Sequence, residues 1–112
     1  MAQTLELPVR LSLAGPVRSN AEVEVRLLLG HVMETGFRHD SSGQQVAKDI
    51  LQFVKVHVGD ALVFEAELGT GMAANPMFFF SCTLPPQAGD IVVSWTDDKG
   101  RTGQLRRPLV YR

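Results

Sequence analysis

The chain has 112 residues, of which 45% are hydrophobic and 21% charged, and its formal net charge at pH 7 is -1. These values are typical of a single globular domain spanning residues 1–112, and they exclude a disordered chain and a charge-driven partner such as nucleic acid or an anionic membrane. The only cysteine is Cys82, which excludes an internal disulfide and a zinc site built mainly on thiolates.

Apolar and polar residues alternate along most of the chain, as expected for strands with one buried face. This alternation predicts seven strands, in chain order at residues 6–14, 22–30, 50–58, 62–68, 76–84, 90–96 and 103–110. Glycine and proline lie between several of them, as in Gly59-Asp60 and Pro85-Pro86. The pattern predicts an all-β fold, an immunoglobulin-like antiparallel β-sandwich of about seven strands, with a small closed barrel as the structural alternative.

Two connections stand out by length or composition. Residues 31–48 (HVMETGFRHDSSGQQVAK) join the second and third strands, and residues 69–76 (GTGMAANP) join the fourth and fifth. The first connection is long for a compact domain, and connections of that length are usually functional or mobile. The second is notable for its glycine content.

These connections contain side chains that could bind a metal. His31 and Met33, with Met72 and Met77, offer the soft ligands that copper(I) prefers, but their spacing matches no established metal motif. His39 and Asp40 would instead suit a harder ion. In the alternative interpretation, Met33 fills the core, and Glu34 and Arg38 form an ion pair that holds the loop in place.

The chain offers little support for catalysis. Cys82 alternates with Phe78, Phe80 and Leu84, so its thiol is expected to point toward apolar surroundings, where a cysteine is inert. Neither a nucleophile elbow nor a glycine-rich phosphate loop is present in the sequence. We therefore expect a protein that is not an enzyme and that has no catalytic residues, no cofactor and no metal. The alternative function is that of a copper-binding or redox protein that uses His31, Met33, Met72 and Met77.

The run Met77–Phe80 places aromatic rings on both faces of one strand. One face belongs to the core, and the other carries Phe79 beside Met77. An exposed aromatic and methionine patch predicts a protein–protein interface, which Val63 on the neighbouring hairpin would extend. The alternative is that a loop folds over the patch.

Three motifs resemble those of one family. Residues 31–40 (HVMETGFRHD) resemble the signature H-P-M-E-T-G-x-R-x-D, residues 74–76 resemble A-N-P, and residues 95–100 (WTDDKG) resemble W-x-D-x-x-G. With the three in the right order, essentially the whole chain resembles the SoxZ family. Val32 replaces the more usual proline.

This resemblance implies a non-catalytic subunit of the SoxYZ sulfur carrier of bacterial thiosulfate oxidation. In that family, SoxY holds sulfur intermediates on a cysteine in a flexible C-terminal arm, and SoxZ binds SoxY as a heterodimer without a carrier cysteine of its own. It also implies transient contact with other Sox enzymes. A homodimer is a further expectation for the isolated subunit.

Residues 1–8 show no signal-peptide pattern and by themselves suggest the cytoplasm. The expected location follows instead from the family resemblance. The family implies the periplasm, reached by co-export with SoxY, whose own signal the twin-arginine system reads.

Two groups of residues are predicted to carry the partner role. Met77 and Phe79 are the expected anchors for SoxY. The loop is expected to dock the SoxY arm or an approaching enzyme, with Arg38 and His39 attracting an anionic thiosulfonate. In the alternative, the polar loop side chains only hold the loop by hydrogen bonds. The loop residues concerned are His31, Met33, Glu34, Arg38, His39 and Asp40.

Overall fold

The computed structural model describes residues 3–112, and all seven predicted strands are present in it. They are β1 (Val9–Ala14), β2 (Glu22–Leu29), β3 (Leu51–Val58), β4 (Ala61–Glu67), β5 (Met77–Thr83), β6 (Asp90–Asp97) and β7 (Thr102–Pro108). The predicted all-β fold is confirmed. No helix within this range is long and apolar enough to cross a membrane.

The strands form two antiparallel sheets, a three-stranded sheet of order β1-β2-β5 and a four-stranded sheet of order β4-β3-β6-β7. Two separate sheets make a sandwich and not a closed barrel. The core lies between them because alternate residues of each strand face inward, and it includes Leu27, Leu29, Val56 and Val93. Across one side of the sandwich, the ring of Phe64 in β4 stacks on that of Phe80 in β5, with centroids 4.3 Å apart.

A bulge in β4 reverses part of the predicted alternation. Val56 pairs with Phe64 but His57 pairs with Leu62, so Val63 is an extra residue without a partner in β3. Val63 consequently packs against the core, and Leu62 faces outward with 48% of its surface exposed. The prediction that Val63 extends an exposed patch was therefore wrong.

The N-terminal segment runs parallel to the start of β7, with a backbone bridge between Thr4 and Thr102. Leu5 donates its N–H to the carbonyl of Thr102 (2.7 Å), and Thr102 donates to the carbonyl of Gln3 (3.0 Å). The indole nitrogen of the buried Trp95 donates to the carbonyl of Leu5 (2.8 Å), directly over Gly103. A side chain at position 103 would occupy the space where this carbonyl lies.

Candidate functional site

The outer face of the three-stranded sheet carries an exposed aromatic patch. Phe79 is 64% exposed and Met77 is 46% exposed, so the prediction that both point away from the core is confirmed. We call this surface the aromatic face and define it by the outward residues of β1, β2 and β5, which are Arg10, Ser12, Ala14, Glu22, Glu24, Arg26, Leu28, Met77, Phe79, Ser81 and Thr83.

Phe79 lies in the edge strand β5, directly beside Arg26 of the middle strand β2. Within the described chain no loop covers it, and the guanidinium carbon of Arg26 lies 5.0 Å from the centroid of its ring. This cation–π contact restrains the ring while leaving most of it exposed. The small neighbours Ser12 and Ser81 leave a shallow groove of about 440 Å³ beside it. The arrangement suits the packing of an apolar surface against the face.

The motif segments meet at one end of the sandwich, starting with His31 and Asn75. The His31 N–H donates to the Asn75 Oδ1 (3.1 Å), and the Asn75 N–H donates to the His31 carbonyl (2.8 Å). This reciprocal pair fastens the long loop to the A-N-P segment. Asn75 has a φ of 54°, a left-handed conformation that asparagine adopts more readily than most residues.

The side chains of His31 and Met33 point inward, and both residues are buried. The Met33 N–H donates to the Nδ1 of His31 (2.9 Å), and the Leu51 N–H donates to the Met33 sulfur (3.4 Å). Because Nδ1 accepts, the neutral imidazole carries its proton on Nε2, which lies 3.5 Å from the Asp49 Oδ1. His31 and Met33 therefore hold the base of the loop, and the prediction that Met33 fills the core is confirmed.

The Trp95–Gly100 motif forms a turn around a buried carboxylate, that of Asp97. Its Oδ1 accepts N–H bonds from Lys99 (3.0 Å) and Arg101 (2.7 Å), and its Oδ2 accepts from the Arg101 Nε (2.5 Å). Burial by itself would raise the pKa of Asp97, but the bonds from Arg101 and Lys99 outweigh it and hold the pKa below its usual value. The turn is thus built on an ionised group.

Asp49 joins this turn to the long loop. Its Oδ1 lies 3.3 Å from the Arg101 Nη2 and 3.5 Å from the Lys99 Nζ, while its backbone pairs with Glu34 in both directions. Oxygens of Asp49, Asp97 and Asp98 lie within 4.8 Å of one another, but Lys99 and Arg101 already neutralise much of their charge. The cluster therefore forms a network of ion pairs that links the long loop to the Trp95–Gly100 turn. Sequence reasoning missed Asp49 because it lies outside all three motifs.

Beyond this base the loop continues as an irregular hairpin. Arg38 donates to both oxygens of Glu34, the shortest bond being 2.7 Å, so the predicted ion pair across four residues is present. The bond from Arg38 lowers the pKa of Glu34. The Asp40 Oδ1 accepts from the Ser42 hydroxyl (2.7 Å) and N–H (2.9 Å), and these bonds, with one from Gln44, lower the pKa of Asp40. Glu34, Arg38 and Asp40 all brace the loop.

The tip of this hairpin is exposed. The His39 side chain is exposed, and the backbone of His39 forms an isolated antiparallel bridge with that of Gln45. Phe37 is 77% exposed and borders a shallow cavity of about 440 Å³ with Val46 and Lys48. Sequence reasoning gave Phe37 no role because the family signature leaves that position open.

The four residues considered for copper do not converge. Met33 lies in the core with its sulfur bonded to the Leu51 N–H, whereas Met77 lies on the aromatic face. The Nδ1 of His31 already accepts from Met33, and Met72 packs against the core from its own connection. Their placement gives no shared coordination site.

Cys82 lies on the inner face of β5, as predicted, packed against the core with Phe78 and Phe80. Burial raises the pKa of its thiol above the ordinary value. The thiolate, which is the nucleophilic form, is correspondingly scarce at neutral pH.

The fold and the site together define a class of protein: an immunoglobulin-like β-sandwich with an exposed aromatic face and a braced polar loop. Within that class, the chain belongs to the SoxZ family, because the family model described as sulphur oxidation protein SoxZ matches residues 11–106. No curated protein matches the chain in sequence.

Solved structures with a similar fold include the superoxide reductase (neelaredoxin) from Ignicoccus hospitalis, with a TM-score of 0.62 and 11% identity over 93% of this chain and 80% of that one. A putative superoxide reductase from Thermotoga maritima has a TM-score of 0.59 and 11% identity, over 93% of this chain and 85% of its own. At this level of identity the likeness concerns the fold alone.

Proposed function

We propose that this chain is the non-catalytic subunit of a periplasmic sulfur carrier and that it forms a heterodimer with a SoxY subunit holding sulfur intermediates on its C-terminal cysteine. The observation that carries the proposal is the family match across residues 11–106, which makes the chain a sulfur-oxidation protein.

The position of Cys82 and the pKa of its thiol support the proposal that the partner subunit, and not this chain, holds the sulfur. Cys82 belongs to a strand that is paired with β2 along its length, and Val23 lies opposite it. A carrier thiol must reach several enzymes in turn and must ionise readily. Cys82 is held in a sheet and its pKa is raised by burial, so it meets neither requirement.

We assign the SoxY contact to the aromatic face. Its apolar side chains, Met77, Phe79 and Leu28, lie on the edge strand β5 and next to it on β2, and they are bordered by the charged Arg26 and Arg10. Stable interfaces combine apolar side chains with polar neighbours, and aromatic side chains dominate the binding energy of such interfaces. The cation–π contact with Arg26 holds Phe79 in place before binding, which lowers the ordering cost of association.

We assign the arm or enzyme contact to the loop tip. Arg38 is paired with Glu34, so much of its charge is already compensated within the loop. His39 and Phe37 remain exposed, and they offer a polar group and an apolar ring on the same hairpin. A small contact of this kind suits transient encounters, which bury less surface than the permanent partner does.

The test of the SoxY contact is co-expression with a SoxY subunit, followed by co-purification and titration calorimetry. We expect a one-to-one complex, and we expect Phe79→Ala to raise the dissociation constant by about 30-fold or more, the loss typical of an aromatic anchor. Phe53→Ala is the matched control, because it removes an exposed ring from β3 in the other sheet. A wild-type chain that forms no complex would refute the carrier role, and equal effects of the two variants would refute the assignment of the face.

The test of the loop contact is thiosulfate-dependent turnover in a reconstituted system. Phe37→Ala and His39→Ala are expected to lower turnover while SoxY binding stays intact. Unchanged turnover with both variants would leave the loop with a purely structural role.

A further inference from the structure

Three of the four sheet edges carry features that discourage pairing with another chain. The edge strand β7 ends in Arg106-Arg107-Pro108 and is bonded at its start to Leu5, whereas β4 contains two glutamates and a bulge. The edge strand β1 contains Arg10 and follows Pro8. The fourth edge, β5, reads MFFFSCT and has no charged residue, proline or glycine. An uncharged edge of this length is a template for pairing with another strand.

The free hydrogen-bonding groups of β5 can be assigned from its register with β2. The Leu29 N–H donates to the Pro76 carbonyl (3.0 Å) and the Leu84 N–H donates to the Ala21 carbonyl (2.8 Å). Leu29 and Pro76, like Ala21 and Leu84, lie directly opposite each other when the register of β2 and β5 is extended by one residue. Because hydrogen-bonded pairs recur at every second residue of an antiparallel ladder, the even-numbered residues of β5 are those that bond to β2. The backbone groups of odd-numbered residues therefore point to the open edge. They belong to Met77, Phe79, Ser81 and Thr83.

We propose that this open edge pairs antiparallel with the β5 strand of a second copy of the chain, which gives a homodimer with a continuous six-stranded sheet. With the two-fold axis at Phe80, Met77 lies opposite the partner's Thr83 and Phe79 lies opposite the partner's Ser81. Every edge-facing backbone group from 77 to 83 then finds a complement in the other copy.

The side chains of β5 are compatible with this self-pairing. No charge lies opposite a like charge, which is the arrangement that destabilises antiparallel pairs. On the outer face the large Phe79 lies beside the small Ser81. The dimer is also closed, because the remaining edges of the joined sheet are the two β1 strands, which carry Arg10. The inference is independent of the SoxY partner, since it needs only this chain.

Sedimentation equilibrium of the isolated chain over a range of concentrations tests the dimer. We expect a reversible dimer whose dissociation constant rises at least about tenfold with Ser81→Lys, which places a charge at the edge. Ser12→Lys is the matched control, because Ser12 is an exposed serine on the same face but away from β5. It should leave the dimer intact. Trp95 fluorescence verifies that both variants are folded.

Amide hydrogen exchange gives a second readout. The amides of Phe79 and Ser81 should be protected only at concentrations where the dimer forms, whereas those of Phe78 and Phe80 should be protected throughout, since they bond to β2. A monomeric wild-type chain, equal effects of the two lysine variants, or a dimer with fast exchange at Phe79 and Ser81 would overturn the proposal. SoxY binding is measured separately, so a monomer that still binds SoxY would refute the homodimer and leave the carrier role standing.

Discussion

Replacing Gly103 by alanine should detach the N-terminal segment from the sandwich. A Cβ built at this position would lie 2.1 Å from the Leu5 carbonyl oxygen and 2.5 Å from the Trp95 indole nitrogen. Real Cβ atoms do not approach backbone oxygens this closely, and neither atom is the flexible end of a long side chain. The segment must therefore move away, and its bond with the indole must break.

Two lost interactions determine how much Gly103→Ala lowers the free energy of unfolding. The indole N–H of Trp95, a residue only 4% exposed, would lose the Leu5 carbonyl as its acceptor, and an unsatisfied buried donor costs roughly 1–3 kcal/mol. Leu5 and Leu7, which pack against the core, would lose part of their apolar contact, at a further cost of roughly 1 kcal/mol. We therefore expect Gly103→Ala to lower the free energy of unfolding by about 3 kcal/mol.

Urea unfolding followed by tryptophan fluorescence measures this change, because Trp95 is the only tryptophan and lies at the affected contact. Gly71→Ala is the matched control, since an added Cβ there meets nothing within 4 Å. The control should stay within about 0.5 kcal/mol of the wild type. A Gly103→Ala protein of wild-type stability would refute the reasoning. So would an equally large loss in a Trp95→Phe background, which has no tryptophan and is therefore followed by circular dichroism.

Two further predictions concern single ionisable groups. The folded-state pKa of Asp97 lies below its unfolded value, so its contribution to stability is present above a pH of about 4 and is lost as the pH falls through the folded pKa. Urea midpoints from pH 7 to pH 3 should therefore fall less steeply for Asp97→Asn, and parallel curves would contradict the role of this carboxylate. Cys82→Ser should keep full thiosulfate-dependent turnover with SoxY, and the wild-type thiol should react with a disulfide reagent much faster in urea than when folded. Loss of turnover in a folded Cys82→Ser protein would show that this thiol takes part.

The strands were predictable because a two-residue period is a local property of the chain. Val23, Val25 and Leu27 alternate with charged residues, and burying one side of such a segment is favourable wherever the segment lies. The outward position of Phe79 followed from the same period. The prediction for Val63 failed because a bulge in β4 shifts the register by one residue and turns this side chain toward the core. The alternation of apolar and polar residues in the sequence does not reveal such a bulge.

The base of the loop was only partly predictable. The pairing of Glu34 with Arg38 followed from their spacing, and so did the use of Met33 in the core. The link from Asp49 to Arg101 joins residues that are 52 positions apart, so it depends on how β3 and β6 are placed side by side. Contacts of this kind are set by packing and not by sequence spacing.

The sequence by itself determined the all-β fold, the strand order along the chain and the family, because alternation and short motifs are encoded in neighbouring residues. Only the tertiary structure decided which strand edge stays open and that, within the described residues, no loop covers Phe79. It also decided that the three motifs meet around Asp49 and Asp97. These features arise when distant segments are brought together, so that the burial, pairing and charge of each residue depend on neighbours that the linear sequence does not specify.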